Sequence, residues 1–148
     1  KQRKGEVSWV EEASGCLIVG AHELLKQNFS KAEENFLKSY NLSREHDLPE
    51  IQGMSCFSLG GMYFRQAKFE KSEAKYKEAQ QLFARQGDEN MTASSYFNLG
   101  ALYLEQKKYD QAEAVLSKAR NLYAQLKNDE MVKIMDIIFN KLEKRENK

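Results

Sequence analysis

The sequence repeats itself with a period of forty residues, and this repeat constrains the fold more than any other feature of the chain. Glycines mark the period most clearly, at Gly20, Gly60 and Gly100. When residues 53–92 are laid over residues 93–132 without a gap, 13 of the 40 positions are identical. Such a repeat predicts stacked copies of one supersecondary unit, which bury a continuous core between neighbours.

Within each unit, the spacing of apolar residues predicts two helices. In the second unit Cys56, Gly60 and Tyr63 follow one another at intervals of three or four, so they share one face of a helix. A second apolar stripe begins at Phe69, after a short break. The chain has one proline, Pro49, which suits a mostly helical fold. The predicted helices cover residues 8–26, 30–46, 49–66, 70–86, 89–106, 110–126 and 129–145.

Several residues predict where helices begin and end. Ser8, Ser30 and Asp110 are each followed three positions later by glutamate, the arrangement of a capping box. Gly87 before Asp88 suits the end of one helix and the start of the next. Because the predicted connections are short, sequential helices are expected to be antiparallel neighbours.

The expected architecture is therefore an all-α solenoid with a right-handed superhelix. It consists of about three helix–turn–helix units and a C-terminal capping helix, all in one domain at 1–148. The units are predicted at about 8–47, 48–87 and 88–127, and the capping helix at 129–145.

Composition narrows the possible functions. Lys and Arg number 23 against 22 Asp and Glu, so no basic excess points to nucleic acid. No long apolar run predicts a membrane span. Cys16 and Cys56 lack metal-ligand spacing, and we interpret them as buried reduced thiols of a cytoplasmic protein, with a disulfide as the alternative. No phosphate loop or catalytic motif occurs, so we expect no enzyme activity, cofactor or metal. The absence of an initiator methionine suggests a fragment or a processed chain.

The repeated residues resemble the tetratricopeptide repeat. That pattern has a bulky residue, Leu-Gly and Tyr in the first helix, then an aromatic residue, Ala, a bulky residue and Ala. In the third unit these are Tyr96, Leu99, Gly100, Tyr103, Tyr109, Ala112, Leu116 and Ala119. The first unit departs from the pattern with Glu23 at the tyrosine position. The forty-residue period resembles the longer repeats of kinesin light chains, Pins-type adaptors and Rap-type peptide receptors.

The resemblance implies a protein-interaction module whose partners bind the concave face formed by the first helix of each unit. The residues opposite the packing face are then the candidate groove: Leu17, Ile18, Ala21, Met54, Phe57, Ser58, Gly61, Arg65, Phe97, Asn98, Ala101 and Glu105. Bulky apolar residues form one row and small residues another, which suits an extended peptide or an amphipathic helix. The alternative is that these residues are interior contacts between neighbouring first helices.

Three candidate groove residues are polar enough to select a partner. The resemblance to longer-repeat adaptors implies that Asn98, just before Leu-Gly, binds the main chain of a peptide, because an amide both donates and accepts. Arg65 and Glu105 occupy equivalent places at the groove edge and either select a charged partner or are simply solvated. The carboxylate clamp of chaperone-binding members is argued against by Leu17 and Ala21, which cannot bind a carboxylate.

The last predicted helix allows two interpretations. Its apolar stripe is widened by Ile137 and Phe139. One interpretation is a capping helix over the last pair. The other is half of a truncated repeat that forms a homodimer or continues a longer solenoid, since a terminal repeat needs a polar outer face.

Overall fold

The computed structural model describes the backbone of residues 2–146 and the side-chain surroundings of residues 8–145. Residues 1, 147 and 148, which the predicted domain at 1–148 includes, lie outside the described residues. Among the described residues there are seven helices and no strand. The helices are α1 (Gln2–Leu25), α2 (Phe29–Glu45), α3 (Pro49–Arg65), α4 (Phe69–Arg85), α5 (Glu89–Glu105), α6 (Tyr109–Gln125) and α7 (Asp129–Glu146). The predicted all-α solenoid is confirmed.

The predicted helix ranges agree with the structure except at the start of α1, whereas the predicted capping residues do not. The helices after α1 lie within one residue of the predicted ranges, but α1 begins at Gln2, so Ser8 lies inside it. The capping prediction was also wrong for Ser30 and Asp110. Both follow the first residue of their helices, and the preceding residues make no side-chain cap bond. The first residues, Phe29 and Tyr109, are half-buried aromatics, so packing rather than a cap positions these helix starts.

The six connections share one backbone geometry. Each has three residues, and the middle residue of each adopts a left-handed conformation, with φ between 53° and 73°. In the first loop Asn28 N–H donates to Glu23 O at 2.9 Å and Gln27 N–H donates to Leu24 O at 2.9 Å. This is the Schellman pattern, which satisfies the last carbonyls of a helix. Glycine occupies the left-handed position in one loop, at Gly87, and other residues occupy it in the remaining five. The sequence therefore predicts this geometry only at Gly87.

The two helices of each pair approach at the glycines of the repeat. A β-carbon added to Gly60 would lie 2.8 Å from the Tyr76 ring. At the equivalent places, a β-carbon on Gly20 would lie 2.6 Å from Phe36 and one on Gly100 would lie 2.3 Å from Leu116. Real β-carbons do not approach so closely. Each glycine is therefore required by the bulky residue that the second helix places over it.

Neighbouring pairs are joined by buried polar contacts. The hydroxyl of Tyr103 on α5 donates to Glu73 on α4 at 2.6 Å, and Tyr63 on α3 donates to Glu33 on α2 at 2.6 Å. These contacts place the same residue types in the same register at two successive junctions. At the junction of α6 and α7 the tyrosine position holds Glu143, and the contact is lost.

A different polar contact joins the last helix to α6. Arg120 donates to both carboxylate oxygens of Asp136, at 2.7 and 3.4 Å. This pairing lowers the pKa of Asp136, chiefly through the hydrogen bond from Arg120. Met135 is fully buried beside it. The helix α7 is thus held by the buried Met135, by partly buried apolar side chains such as Phe139 and Leu142, and by this ion pair.

The pairs stack along a curve with the first helices on the inside. Cα atoms of α1 and α3, and of α3 and α5, come within 8 Å of each other, whereas none do between α2 and α4 or between α4 and α6. The outer helices meet instead through long side chains, such as Tyr40, whose hydroxyl donates to Glu78 at 2.6 Å. The helix α7 departs from the inner row, since none of its described Cα atoms lies within 8 Å of α5. Lys141 stands there in place of the small residue of the other first helices.

Replacing Gly60 with alanine should destabilise the protein even though alanine favours helix. The added carbon would overlap the Tyr76 ring, and overpacking of a core costs about 1–3 kcal/mol. The matched control is Gly15→Ala, because a β-carbon at Gly15 meets nothing within 4 Å and should stabilise the helix by up to about 1 kcal/mol. Urea unfolding followed by circular dichroism measures both. A Gly60→Ala protein as stable as the control would contradict the packing argument.

The bond between Tyr103 and Glu73 should make stability depend on pH. Together with Lys77, it lowers the pKa of Glu73 from its ordinary value of 4.5. The folded state therefore favours the ionised carboxylate. Its contribution is complete above the ordinary pKa and is lost as the pH falls through the lowered one. We expect the difference in free energy of unfolding between wild type and Glu73→Gln to shrink on acidification.

The control for this titration is Glu113→Gln. Glu113 occupies the equivalent position of the third unit, where the tyrosine is replaced by Glu143. Denaturant unfolding between about pH 6 and about pH 3 compares the variants. Equal pH dependence of the two differences would show that the tyrosine bond does not set the protonation state of Glu73.

Candidate peptide-binding groove

The candidate groove lies along the inside of the curve, on the first helices. In α3 it consists of Met54, Phe57, Ser58, Gly61 and Arg65, which lie on the side of the helix opposite the fully buried Leu59. Equivalent residues of α1 and α5 extend it in both directions. The inner position of these helices follows from their close backbone approach, so the predicted groove residues lie on first helices that are neighbours in the stack.

The bulky residues of the groove are half-buried, which combines the two interpretations drawn from the sequence. Phe57 and Phe97 pack against the core, and so does Leu17 at the first unit. The Phe57 ring meets the Tyr76 ring edge-on, with centroids 5.7 Å apart. One side of each residue is therefore interior, and the other side remains at the surface. Met54 is 37% exposed between them.

The small and polar groove residues span the same range of exposure as the bulky ones. Ser58, Gly61 and Ala101 are half-buried, and Ala21 is exposed. Ile18 is 69% exposed because it lies on the face of α1 that has no preceding second helix against it among the described residues. Its counterparts Ser58 and Asn98 are half-buried against the preceding repeat. Ile18 therefore lies at the open end of the solenoid.

Asn98 stands out among the groove residues. It is half-buried, and the hydrogen bonds of the described side chains do not include its amide. It lies one helical turn after Ser95, whose counterpart Ser55 accepts or donates a 2.9 Å bond with Ser39 of the preceding second helix. Asn98 is thus on the side of α5 that faces the preceding unit, at the seam between the second and third units.

The two charged edge residues differ in their surroundings. Arg65 and Glu105 are both exposed. The Arg65 guanidinium lies over the Phe29 ring, 5.7 Å from its centroid, which directs it toward α2. Arg145 repeats this contact at Tyr109, with 4.5 Å to the centroid. Arg65 is therefore part of a repeated packing contact at the end of a first helix as well as a groove-edge residue.

Sequence reasoning missed one polar group at the floor of the groove, the hydroxyl of Tyr76. Tyr76 belongs to the second helix of its pair and is 5% exposed. A β-carbon built on Gly61 would lie 3.2 Å from this hydroxyl oxygen. The signal in the sequence was the pairing of Tyr76 with Gly61, where the other units have alanine at the glycine position.

The residues predicted for self-association lie in different places. Ile137 is 56% exposed, whereas Phe139 is half-buried and packs against the core formed by α5 and α6. Ile137 occupies the same register position as Leu17, Phe57 and Phe97, but on a helix that departs from the inner row. Self-association through this helix stays a prediction.

The two cysteines are unpaired, and the prediction that both are buried was wrong for Cys16. Cys56 is buried and Cys16 is half-exposed. Burial raises the pKa of the Cys56 thiol well above its ordinary range, because α2 and α4 cover it. Cys16 lies in the first helix, where the cover given to Cys56 by α2 has no counterpart among the described residues.

The described residues form neither a membrane span nor a metal site. None of the described helices is long and apolar enough to cross a membrane. The described part of the chain brings together no group of three histidine, cysteine, aspartate or glutamate side chains able to hold a metal ion.

The architecture is that of an α-solenoid of helix hairpins with its first helices on the concave side. Comparison with known proteins agrees. Residues 53–125 match the family model described as tetratricopeptide repeat. No curated protein sequence matches the chain.

Solved structures share the fold. The apo form of RapI has a TM-score of 0.82 at 21% identity, over 92% of this chain and 49% of RapI. The tetratricopeptide repeat domain of Arabidopsis FLU has a TM-score of 0.72 at 18% identity, over 81% of this chain and 98% of that domain. A signal transduction ATPase with a tetratricopeptide repeat sensor, from Pyrococcus horikoshii, has a TM-score of 0.70 at 25% identity, over 78% of this chain and 18% of the ATPase.

Residues 53–125 therefore form tetratricopeptide repeats, and the chain shares the fold of solved tetratricopeptide repeat proteins. It spans about half the length of RapI. Tetratricopeptide repeat proteins are in general interaction modules, because their stacked repeats present extended concave surfaces to other proteins. They are generally not enzymes.

The difference in burial between Ile137 and Phe139 can be tested by replacing each residue with alanine. Phe139→Ala should lower the free energy of unfolding by about 1–3 kcal/mol, since a partly buried ring loses its packing. Ile137→Ala should change it by less than about 1 kcal/mol because the side chain is mostly exposed. Chemical denaturation measures both. Equal losses would mean that α7 packs differently.

Proposed function

We propose that this protein is an adaptor that binds a peptide or a helix of a partner protein in its concave groove. The groove is lined by Leu17, Ile18, Ala21, Met54, Phe57, Ser58, Gly61, Arg65, Phe97, Asn98, Ala101 and Glu105. The observation that carries the proposal is the half-buried amide of Asn98, which has no hydrogen bond among the described side chains and lies next to the half-buried apolar residues of the groove.

The groove offers a partner protein apolar side chains to cover and an amide to bind. Half-exposed apolar side chains such as Phe57 and Met54 gain from being covered, at about 25 cal/mol for each Å² removed from water. A half-buried amide gains from a main-chain partner, because an amide can donate to a carbonyl and accept from an N–H at once. Apolar cover with a few fixed polar groups is typical of peptide-binding surfaces.

We also propose the division of the chain into units at about 8–47, 48–87 and 88–127, with α7 as a capping helix. The outer face of α7 supports this role, since Asn140 and Glu143 are exposed there, while Asp136 on the side toward α6 is paired with Arg120. A polar outer face is what keeps a terminal repeat soluble. The two unpaired cysteines support a cytoplasmic location.

The experiment compares two asparagine-to-alanine variants. Peptides are first selected from a random-peptide phage library on the wild-type protein and kept if Met54→Glu abolishes binding. Asn98→Ala should then weaken them about tenfold, the effect of losing one or two hydrogen bonds at a half-buried site. Asn121→Ala is the matched control, because Asn121 is exposed on α6, the outer helix of its pair.

Isothermal titration calorimetry measures the dissociation constants, and circular dichroism shows that both variants stay folded. If the library yields no peptide that Met54→Glu blocks, the groove is not the binding surface. If Asn98→Ala and Asn121→Ala bind groove-dependent peptides equally well, Asn98 does not contact the peptide.

A further inference from the structure

The ring of Tyr76 crosses from α4 to the groove beneath the seam between α3 and α5. It lies directly over Gly60 and packs in the same core cluster as Leu99 and Tyr103 of α5. The hydroxyl at its far end lies beside Gly61, which is half-exposed in the groove. The side chain is more than nine-tenths buried, and no hydrogen bond of the described residues involves its hydroxyl.

The unpaired state of this hydroxyl contrasts with other buried tyrosines of the protein. The hydroxyls of Tyr40, Tyr63 and Tyr103 each donate to a glutamate at 2.6 Å. The Tyr76 oxygen is not one of the fully buried, unpartnered polar atoms among the described residues, so solvent reaches it and completes its bonding in the free protein. Tyr76 directs its hydroxyl toward the groove, where a bound molecule can do so.

The second unit differs from the other two in the residue over the helix-pair glycine and in the residue that follows that glycine. Tyr76 on the second helix is matched by Gly61 on the first. The other units have a ring or side chain without a hydroxyl, Phe36 or Leu116, together with alanine at the position of Gly61. The β-carbon is therefore missing at the one place where it would lie 3.2 Å from a hydroxyl oxygen. The absence of that carbon leaves the hydroxyl open to the groove.

We propose that the Tyr76 hydroxyl, reached through the gap at Gly61, donates a hydrogen bond to a main-chain carbonyl of an extended partner peptide. The inference rests on the proposed function of the groove and names the form of the bound segment. Asn98 borders the same seam from α5 and holds a neighbouring peptide unit.

An extended segment suits this donor better than a helix does. A helix already uses its internal carbonyls in its own hydrogen bonds, so it offers no free acceptor along its length. An extended chain presents an unpaired carbonyl at every residue and rises by about 3.3 Å per residue. Neighbouring packed helices are about 8–10 Å apart, so successive units are spaced by about three residues of such a chain.

The chemistry of the hydroxyl supports its role as a donor. Burial raises the pKa of Tyr76 to about 12, so the hydroxyl keeps its proton at neutral pH. The lining around it is apolar at Phe57 and Met54, which favours uncharged apolar side chains in the peptide.

The test uses the peptides that bind the wild-type protein and are blocked by Met54→Glu. Tyr76→Phe should weaken them about five- to tenfold, the effect of one buried hydrogen bond, without lowering the urea midpoint of unfolding. Tyr103→Phe is the matched control with the reverse pattern. Its hydroxyl is bonded to Glu73 within the fold, so its loss should lower the midpoint and leave peptide affinity unchanged.

A second pair of variants tests the gap at Gly61. Gly61→Ala should cover the hydroxyl and weaken binding in the wild-type background, yet add little to Tyr76→Phe. A series of peptides with one amide replaced by an ester at each position locates the acceptor, because an ester carbonyl accepts more weakly. One replacement should weaken binding to wild type and have no effect on Tyr76→Phe.

The outcomes separate the inference from the proposed function. If groove-dependent peptides bind Tyr76→Phe as tightly as wild type, the Tyr76 inference is wrong and the groove proposal stands. If no ester replacement weakens binding to the wild-type protein while leaving binding to Tyr76→Phe unchanged, the hydroxyl does not bond a main-chain carbonyl. If no groove-dependent peptide is obtained at all, both proposals fall. Peptides that bind only as helices, shown by circular dichroism of the complex, would also overturn the inference.

Discussion

The structure depends on the contact between a glycine of each first helix and a bulky side chain of the second. At Gly60 the Tyr76 ring occupies the space that any β-carbon would need. This contact brings the two backbones of a pair together and fixes which faces meet. Because the same contact recurs every forty residues, each pair presents its neighbour with the same surface, and a continuous core follows from repetition of one local arrangement.

Curvature arises because the two kinds of helix pack differently. The first helices approach closely enough for their Cα atoms to come within 8 Å of each other, whereas the second helices meet through long side chains such as Tyr40 and Glu78. The inner surface is therefore compact and lined with half-buried apolar groups. Where Lys141 replaces the small residue, α7 stands away from α5. Three changes in the repeated pattern, Asn140, Lys141 and Glu143, thus coincide with the end of the regular stack.

The packing contact and the proposed binding site share one residue. Tyr76 fills the space over Gly60 with its ring and reaches the groove with its hydroxyl. Phe36 and Leu116 perform the packing role in the other units without any polar atom. The balanced charge of the chain leaves the groove without a strong field, so a few fixed polar groups, Asn98 among them, carry the selectivity that we propose.

The sequence by itself determined the helices, their pairing and the family. Helical spacing and internal repetition are local properties, so α2 through α7 could be placed within one residue, and the groove residues could be assigned to one face. The tertiary structure decided the rest. The start of α1, the loop geometry and the failed caps at Ser30 and Asp110 depend on packing between helices. Sequence periodicity also could not show that Phe139 turns into the core, that Cys16 stays half-exposed, or that the Tyr76 hydroxyl reaches the groove. Each depends on which neighbouring helix covers a given position, and that is a property of the assembled stack.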